Sequence, residues 1–333
     1  MADVTEAPLL ETRGLTKHYP LQGGLVRRLR GQQQALVAVE DVSLAIQRGE
    51  TLGLVGESGS GKSTFGRLLL QLEKPTSGDI LFEGRSVLGQ RDRSARELRK
   101  RIQVIFQDPY SSLNPTMTVR QMLNEVLAVH GILPREARSA RVADLLERVG
   151  LAPEFAGRRP HQFSGGQRQR IGIARALAVE PEFIVADEAV SALDVSVQAQ
   201  VLNLMMRLQE ELGLTYLFIS HNLTVMRHIS EHVAVMYLGR IVEQSPTETL
   251  FAEPLHPYTQ ALLKAAPKPT PRRRAITPAV SGDIPSPIER PNGCHFHPRC
   301  TFAMDICRTE YPAARRVGAA LVACHLYDTD PDA

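Results

Sequence analysis

The sequence predicts an α/β fold with a mostly parallel central sheet, and two observations support this class. A short apolar run at residues 51–55 is followed by a glycine-rich loop and then by a helical run at residues 65–70. A second apolar run, at residues 183–186, ends in two carboxylates, Asp187 and Glu188. Apolar strands that alternate with helices, and that end in functional side chains, are typical of parallel α/β sheets.

The glycine-rich loop fits the pattern G-x-x-x-x-G-K-[S/T], which cradles nucleotide phosphates. Its glycines allow a tight turn in which successive N–H groups point at phosphate oxygens, and the following helix presents its positive end to the same anion. Lys62 adds a charge for the β- and γ-phosphates, and the Ser63 hydroxyl is a ligand for Mg²⁺. The alternative, a glycine–serine loop with an unrelated lysine, is disfavoured by the flanking strand and helix. The predicted phosphate-binding residues are Gly56, Glu57, Ser58, Gly59, Ser60, Gly61, Lys62, Ser63 and Thr64.

Composition limits the class of protein. The chain has 333 residues, of which 43% are hydrophobic and 23% charged, as in ordinary globular proteins. Its net charge of +3, from 39 basic and 36 acidic residues, gives no argument for nucleic acid as the main partner. The N terminus lacks the order of a signal peptide, and no apolar run is long enough to span a bilayer. We therefore expect an intracellular protein that reaches a membrane only through a partner.

The remaining elements can be placed in order from hydrophobic spacing. Residues 1–9 are predicted to be disordered, and residues 27–31 form a basic surface loop between two strands. Gly131 and Pro134 interrupt a helical insertion, because both residues break helices. The predicted elements are strands at residues 10–19, 35–47, 102–106 and 215–220, a strand and turn at 80–84, a hairpin at 233–243, an arginine-rich helix at 91–101, and the helical insertion at 116–150.

A helix start at Ser164 is the next candidate site. Serine is a favoured N-cap residue, and the glycines at 165 and 166 let a phosphate approach the first N–H groups of the helix. Taken alone, Ser164-Gly165-Gly166-Gln167 is also an ordinary helix cap. The two carboxylates that follow it strengthen the phosphate-binding interpretation.

Polar side chains at strand ends supply candidates for hydrolysis. Asp187 can hold Mg²⁺ through water, and Glu188 can take a proton from water that attacks the γ-phosphate, which contributes about 10²–10⁴-fold to a rate. A solvated strand end is the alternative. Gln107 has a carbonyl oxygen that can reach Mg²⁺ or the attacking water. His221 can hydrogen-bond the γ-phosphate, although a lone histidine is usually structural.

The order of these elements resembles that of an ABC-type ATPase. The ordered set comprises the phosphate loop, Gln107, the Ser-Gly-Gly-Gln sequence at 164–167, Asp187 with Glu188, the Ser-Ala-Leu-Asp sequence ending at Asp194, and His221. The chain further resembles the ATP-binding subunits of dipeptide/oligopeptide importers, nearest to the dipeptide subunit of the "F" kind. That resemblance covers nearly the whole chain and rests on residues 17–20, 162–170, 236–240 and 256–263 and on a cysteine-containing tail.

The resemblance implies a P-loop NTPase of ABC type, with a mostly parallel core sheet, an antiparallel β subdomain and a helical subdomain. The ATPase domain is expected at residues 10–244, with the helical subdomain at about 108–180. An irregular extension that is rich in proline and cysteine is expected at residues 245–333.

The resemblance also implies roles for the site residues. Two ATPase subunits close head to tail on two ATP molecules, and Ser164, Gly165 and Gly166 close on the partner's nucleotide. Gln167 and Asp194 are also expected among the nucleotide-binding residues. Tyr19 stacks on adenine, and Ser63, Gln107 and Asp187 hold Mg²⁺. Catalytic roles fall to Glu188, His221 and Gln107.

The expected partners follow from the same family. They are a second ATPase subunit, which the family favours as a paralogue, two membrane permeases and an extracytoplasmic solute-binding protein. The permeases dock on the helical insertion and on the loop at Gln107. The chain is then peripheral, on the cytoplasmic side of the inner membrane.

Four cysteines in the tail leave three interpretations open. Disulfides are disfavoured in a reducing cytosol. Zinc prefers a C-x2-C clip, which is missing, although His295, His297 and His325 are available. A [4Fe–4S] cluster, with which the family's tail is associated, tolerates varied spacing. For Cys294, Cys300, Cys307 and Cys324 we therefore keep three interpretations. In order of preference they are an iron–sulfur cluster, free or structural thiols, and zinc.

Two positions depart from the family pattern. Ala189 stands where proline is usual and puts the rigidity of its loop in doubt, and Asn222 stands where aspartate is usual.

The function expected is that of an importer ATPase. A soluble ABC ATPase of DNA repair or ribosomes is the alternative, disfavoured by the single phosphate loop and the short insertion. A redox module with an inactive cassette conflicts with the complete catalytic set. Peptide, nickel, haem and glutathione stay open as the solute.

Overall fold

The computed structural model describes residues 7–21, 35–90, 92–108, 112–265 and 285–328. The predicted basic loop at 27–31 and the first residues of the predicted disordered segment, 1–6, lie outside these ranges. The chain divides into two units. The first unit comprises residues 1–9, 46–51 and 82–219, and the second comprises residues 10–45, 52–81 and 220–333.

The described elements alternate between strands and helices for most of the chain. The strands are β1 (Leu10–Pro20), β2 (Ala35–Ile46), β3 (Thr51–Val55), β4 (Ser77–Phe82), β5 (Arg85–Ser86), β6 (Ile102–Ile105), β7 (Phe183–Asp187), β8 (Thr215–Ile219), β9 (His232–Tyr237), β10 (Arg240–Pro246), β11 (Ala314–Val317) and β12 (Ala320–Ala323). The α-helices are α1 (Lys62–Leu69), α2 (Asp92–Arg101), α3 (Val119–Val129), α4 (Arg138–Arg148), α5 (Gly165–Leu177), α6 (Val195–Leu212), α7 (Leu223–Ile229), α8 (Thr247–Ala252) and α9 (Pro257–Ala265).

The first unit contains three parallel strands in the order β6-β7-β8. Residues Phe183–Ala186 are fully buried, as expected for a continuous apolar run in a parallel sheet. Ile105 pairs with Ala186, and Asp187 pairs with Ile219, so the carboxyl ends of the three strands lie side by side. This edge places the side chains that follow β6 and β7 next to each other.

The helical insertion of the first unit consists of α3 and α4, where the spacing predicts helices. Thr118 caps α3 in a capping box with Gln121. The apolar stripes of both helices are buried, and Gly131 and Pro134 lie between the helices as predicted. Leu9, at the end of the predicted disordered segment, is buried, and its carbonyl accepts a hydrogen bond from the Glu83 N–H.

The second unit contains two sheets. Strands β2, β1 and β4 are neighbours in one sheet, and strands β11, β12, β10, β9 and β3 follow one another in the other. β3 and β9 are parallel, whereas β9, β10, β12 and β11 are antiparallel. The predicted α/β class with parallel and antiparallel strands is thus confirmed. Among the helices of the described residues, none combines the length and the apolar character that crossing a membrane requires.

The tail is less irregular than the sequence predicts. β11 and β12 form a hairpin around Gly318, and β12 pairs with β10 at Glu243 and Gln244. The short strands lack the length that periodicity needs for a reliable prediction. The expectation of an irregular tail is therefore wrong at residues 314–323.

Candidate nucleotide site

The glycines of the loop are required by the backbone around them. Gly59 and Gly61 have φ of +79° and +105°, a region that side chains rarely adopt. A Cβ on Gly61 would lie 2.1 Å from the Ala38 carbonyl oxygen, and a Cβ on Gly56 would lie 2.2 Å from that of Met236. The loop can therefore follow its path only with glycine at positions 56 and 61.

Lys62 lies inside the curve of this loop. Its side chain is 5% exposed, and α1 begins at this residue. The Nζ donates to the carbonyl oxygens of Gly56 at 2.8 Å and of Glu57 at 2.9 Å, and to Ser60 Oγ at 3.4 Å. The positive charge therefore lies against the carbonyl oxygens of the loop, and Ser63 and Thr64 follow in the first turn of α1.

Tyr19 is fixed in place by its neighbours. Its hydroxyl donates to Glu73, and the Lys17 ammonium lies 4.9 Å from the centre of its ring. Burial and the Glu73 hydrogen bond both raise the pKa of Tyr19, so the hydroxyl keeps its proton at neutral pH. The ring is therefore a rigid aromatic surface, as stacking on a base requires.

His221 follows a segment that is tied to the strand before the loop. The Ser220 N–H donates to the Leu54 carbonyl oxygen, two residues before Gly56. The Asn222 side chain caps α7 by accepting from the Thr224 N–H at 3.0 Å. An aspartate would accept the same hydrogen bond, so Asn222 keeps this structural role without the charge.

The first unit brings Gln107 and Glu188 together. Gln107 Nε2 donates to Glu188 Oε2 at 2.8 Å, although 81 residues separate them. Asp187 precedes Glu188 as the last residue of β7 and is half-buried. The carboxylate of Glu188 is therefore oriented by an amide, at the strand end where the sequence predicts it.

The backbone at Glu188 is held in an uncommon conformation. Its φ is +48°, which costs of order 1 kcal/mol for a residue other than glycine. The strain is supported by hydrogen bonds from the Glu188 N–H to Ile219 and from the Ser191 N–H and hydroxyl to the Glu188 carbonyl. Ala189 is 1% exposed. Burial and these bonds fix the loop without the proline expected from the family pattern.

The start of α5 is a capping box. The Gln167 N–H donates to Ser164 Oγ, and the Ser164 N–H donates to the Gln167 side chain. A Cβ on Gly166 would lie 2.3 Å from Val197 of α6, the helix that Asp194 precedes as N-cap. Residues 164–167 and Asp194 are thus brought together.

Two residues that contact the phosphate loop were missed by sequence reasoning. Tyr258 and Arg299 both hydrogen-bond Glu57, and they lie 201 and 242 residues from it in the chain. No local pattern marks such distant contacts.

The cysteines do not form a metal site in the structure. Burial is the main cause that raises the pKa of Cys294 to about 11 and of Cys324 to about 12, and the neighbouring thiols add to it. Within the described ranges, no three His, Cys, Asp or Glu side chains are grouped so as to hold a metal ion. The expected [4Fe–4S] cluster at Cys294, Cys300, Cys307 and Cys324, and the zinc alternative, are therefore not supported.

Acid should destabilise the protein through His256. Burial lowers the pKa of His256 to about 3, below its ordinary value of 6.5. Between pH 6.5 and pH 3 this histidine is protonated in the unfolded chain but neutral in the folded chain. The free energy of unfolding therefore decreases as the pH falls, by up to about 1.4 kcal/mol per pH unit.

His256→Asn isolates this contribution. His256 Nδ1 accepts from the Tyr258 N–H at 3.0 Å, and an asparagine carbonyl offers an acceptor that does not titrate. Urea denaturation at pH 7 and pH 5 should show a smaller loss of stability in the variant. Equal losses in both proteins would contradict the assignment.

The glycine loop around a buried lysine is typical of phosphate-loop nucleotide-binding proteins. In the first unit, the amide-oriented carboxylate at a strand end is suited to act as a general base. Residues 39–191 match the ABC transporter family, and residues 242–307 match the C-terminal region of oligopeptide/dipeptide transporters. The chain belongs to the ATP-binding proteins of ABC transporters, in their oligopeptide and dipeptide group, and is an ATPase.

Several relatives match nearly the whole chain. A probable peptide ABC transporter ATP-binding protein of Sinorhizobium fredii, y4tS, is 53% identical over 96% of this chain and 90% of its own length. The oligopeptide transport ATP-binding protein AppF of Bacillus subtilis is 50% identical over 98% of this chain and 100% of its own. The dipeptide transport ATP-binding protein DppF of Haemophilus influenzae is 48% identical over 96% and 97%.

Solved structures agree on the fold. A dimeric ATP-binding cassette in a post-hydrolysis state with ADP and Pi has a TM-score of 0.62 and 29% identity, covering 72% of this chain and 98% of the other. CbiO1 of Clostridium perfringens, part of the ABC transporter complex cbiONQ, has a TM-score of 0.63 and 28% identity, covering 74% and 92%.

Proposed function

We propose that this chain is the ATP-hydrolysing subunit of a peptide importer, which drives uptake by closing with a second ATPase subunit on two ATP molecules. The observation that carries this proposal is the Gln107–Glu188 pair at the end of β7. It accompanies a complete phosphate loop in a chain whose full-length relatives are named as peptide-transport ATP-binding proteins. These relatives do not favour a role in DNA repair or on ribosomes.

Nucleotide binding is assigned to the loop at 56–64. Lys62 exchanges its carbonyl contacts for the β- and γ-phosphates, and the Tyr19 ring stacks on adenine. Ser63, Gln107 and Asp187 offer hydroxyl, amide and carboxylate oxygens, which are the donors that Mg²⁺ prefers. When bound, Mg²⁺ neutralises charge that develops on the phosphates.

Hydrolysis is assigned to Glu188. Its carboxylate accepts a proton from the attacking water, and Gln107 keeps the carboxylate oriented. His221 hydrogen-bonds the γ-phosphate and so senses its loss.

The start of α5 completes the site of a partner subunit. Its N-terminus offers the positive end of the helix to the nucleotide held by that subunit, through Ser164, Gly165, Gly166 and Gln167. Asp194 supports the same interface. A paralogue is the proposed partner ATPase.

The assembly places the chain on the cytoplasmic face of the cell membrane. Two permeases hold it there, through the helical insertion and the loop at Gln107, and a solute-binding protein delivers the peptide. We assign residues 10–244 to the ATPase domain and residues 245–333 to the transporter-specific extension.

Reconstitution tests the proposal. The chain, its partner ATPase and both permeases are placed in proteoliposomes with the solute-binding protein. Peptide should stimulate ATP hydrolysis, whereas nickel, haem or glutathione should not. Stimulation by one of these solutes alone would overturn the peptide assignment, and failure of the chain to co-purify with any permease from membranes would overturn the importer assignment.

A further inference from the structure

Glu57 of the phosphate loop is held from three sides. Its backbone carbonyl accepts from Lys62 Nζ, and its N–H donates to the Tyr258 hydroxyl at 2.8 Å. Its carboxylate accepts two hydrogen bonds from the Arg299 guanidinium, at 2.7 and 2.9 Å. Two of the three contacts come from the segment after residue 245, which sequence reasoning did not connect with nucleotide binding.

The contacts from this segment are rigid. Tyr258 is fully buried, and its ring lies 4.6 Å from that of Tyr237 and 5.4 Å from that of Phe296. The Arg299 guanidinium lies 5.8 Å from the rings of Tyr237 and Phe296. Paired planar groups of this kind lose little freedom on contact and fix the position of the atoms they bind.

Stability alone does not account for Arg299. Its side chain is 5% exposed, and its Nε is buried with no hydrogen-bond partner among the described residues. Burying a guanidinium costs about as much as its ion pair returns, so such a pair is weak evidence for a stabilising role. A role in placing Glu57 explains why the charge is there.

The contacts from Tyr258 and Arg299 matter most when a nucleotide binds. Lys62 already donates to three oxygens, and an ammonium has three protons, so contact with a phosphate requires Lys62 to give up loop contacts. The Glu57 carbonyl then loses its inner support. The contacts from Tyr258 and Arg299 do not depend on Lys62 and keep the loop curved.

The same segment also supports the strand beside the loop. Arg290 donates to the Glu40 carboxylate and to the Val37 carbonyl of β2. The Ala38 carbonyl of β2 lies against Gly61. Arg290 thus holds the segment against the strand beside the loop. Arg315 of the same segment pairs with Asp328 at 3.1 Å and, among the described residues, with neither Glu57 nor β2, which makes it the control.

We propose that Tyr258 and Arg299 are positioning residues that hold the phosphate loop in its binding curve through Glu57, so that the C-terminal extension sets the affinity for Mg-ATP. This inference rests on the assignment of the loop to nucleotide binding. The Tyr258 hydroxyl binds the backbone N–H of Glu57, and the Arg299 guanidinium binds its carboxylate.

The test measures the Kd of a non-hydrolysable ATP analogue with Mg²⁺ for the full chain and its variants. Arg299→Gln should raise Kd about 10-fold and Tyr258→Phe about 3-fold, since one hydrogen bond contributes roughly 1 kcal/mol and a charged one more. Arg299→Lys should recover part of the loss because it keeps the charge but not the two parallel bonds. In the assembled transporter, KM for ATP should rise and kcat should stay within about twofold.

Two comparisons separate positioning from general stability. Arg315→Gln removes an ion pair of the same segment and should leave Kd unchanged. Glu57→Gln should raise Kd. The double variant Glu57→Gln with Arg299→Gln should have the same Kd as Arg299→Gln alone, because both substitutions remove the same contact.

The outcomes discriminate clearly. Unchanged Kd in Arg299→Gln and Tyr258→Phe overturns the inference, as does an equal effect of Arg315→Gln or additive effects of Glu57→Gln and Arg299→Gln. Tyr258→Phe, which keeps the buried ring, decides the matter if Arg299→Gln does not fold. Lys62→Ala tests separately whether the loop binds the nucleotide. If Lys62→Ala binds the analogue as tightly as wild type, the loop assignment itself fails, whereas a loss confined to Lys62→Ala refutes only the role of the extension.

Discussion

Glu188→Gln is expected to lower kcat for ATP hydrolysis by about 10²–10⁴-fold while ATP binding is kept. Glutamine has the same shape and still accepts the hydrogen bond from Gln107, which is 2.8 Å long in the wild type. It cannot take a proton from water. The variant should therefore accumulate the closed ATP-bound dimer, seen as an early-eluting species in size-exclusion chromatography with Mg-ATP.

Glu180→Gln is the matched control. Glu180 also has a positive φ, of +57°, and its side chain is 72% exposed, paired with Arg141 at 2.9 Å. The control should hydrolyse ATP at the wild-type rate. Phosphate release by Glu188→Gln at that rate would remove Glu188 from the role of general base.

Gly61→Ala is expected to abolish Mg-ATP binding and to destabilise the protein. The added Cβ would lie 2.1 Å from the Ala38 carbonyl oxygen, at a φ of +105°. Backbone must move to relieve such a clash, and the loop loses the curve that directs its N–H groups inward. Urea denaturation and nucleotide titration measure the two effects.

Gly59→Ala separates the two causes of damage. Gly59 also has a positive φ, +79°, but a Cβ there would meet no atom of the described residues within 4 Å. We expect a loss of about 1–2 kcal/mol from the conformation alone, and retained binding. Equal damage from both substitutions would show that conformation, and not the contact with β2, accounts for the loss.

Much of the site could be predicted because its parts are local in sequence. The strand–loop–helix order around Lys62 and the cap at Ser164 each follow from a few neighbouring residues. The Gln107–Glu188 contact was within reach because parallel strands align their carboxyl ends, although the hydrogen bond itself was not predicted.

The contacts of the extension could not be predicted in the same way. Arg299 and Tyr258 reach Glu57 across more than 200 residues, and nothing in their spacing marks the target. For the cysteines, the sequence predicted a metal cluster that the structure does not support. Four thiols at family-like spacing favoured a cluster, but the spacing along the chain does not determine whether the side chains are grouped in the fold, and in the described residues no such group is found.

The hairpin of β11 and β12 has a consequence for association between chains. Without β12, the residues Glu243 and Gln244 of β10 would present unpaired backbone groups along an edge, which is a template for aggregation. The hairpin moves the edge outward to the four-residue β11, which carries the exposed Arg315 and Arg316. A short strand with two positive charges is a poor template, so the extension also protects the sheet from pairing with another copy.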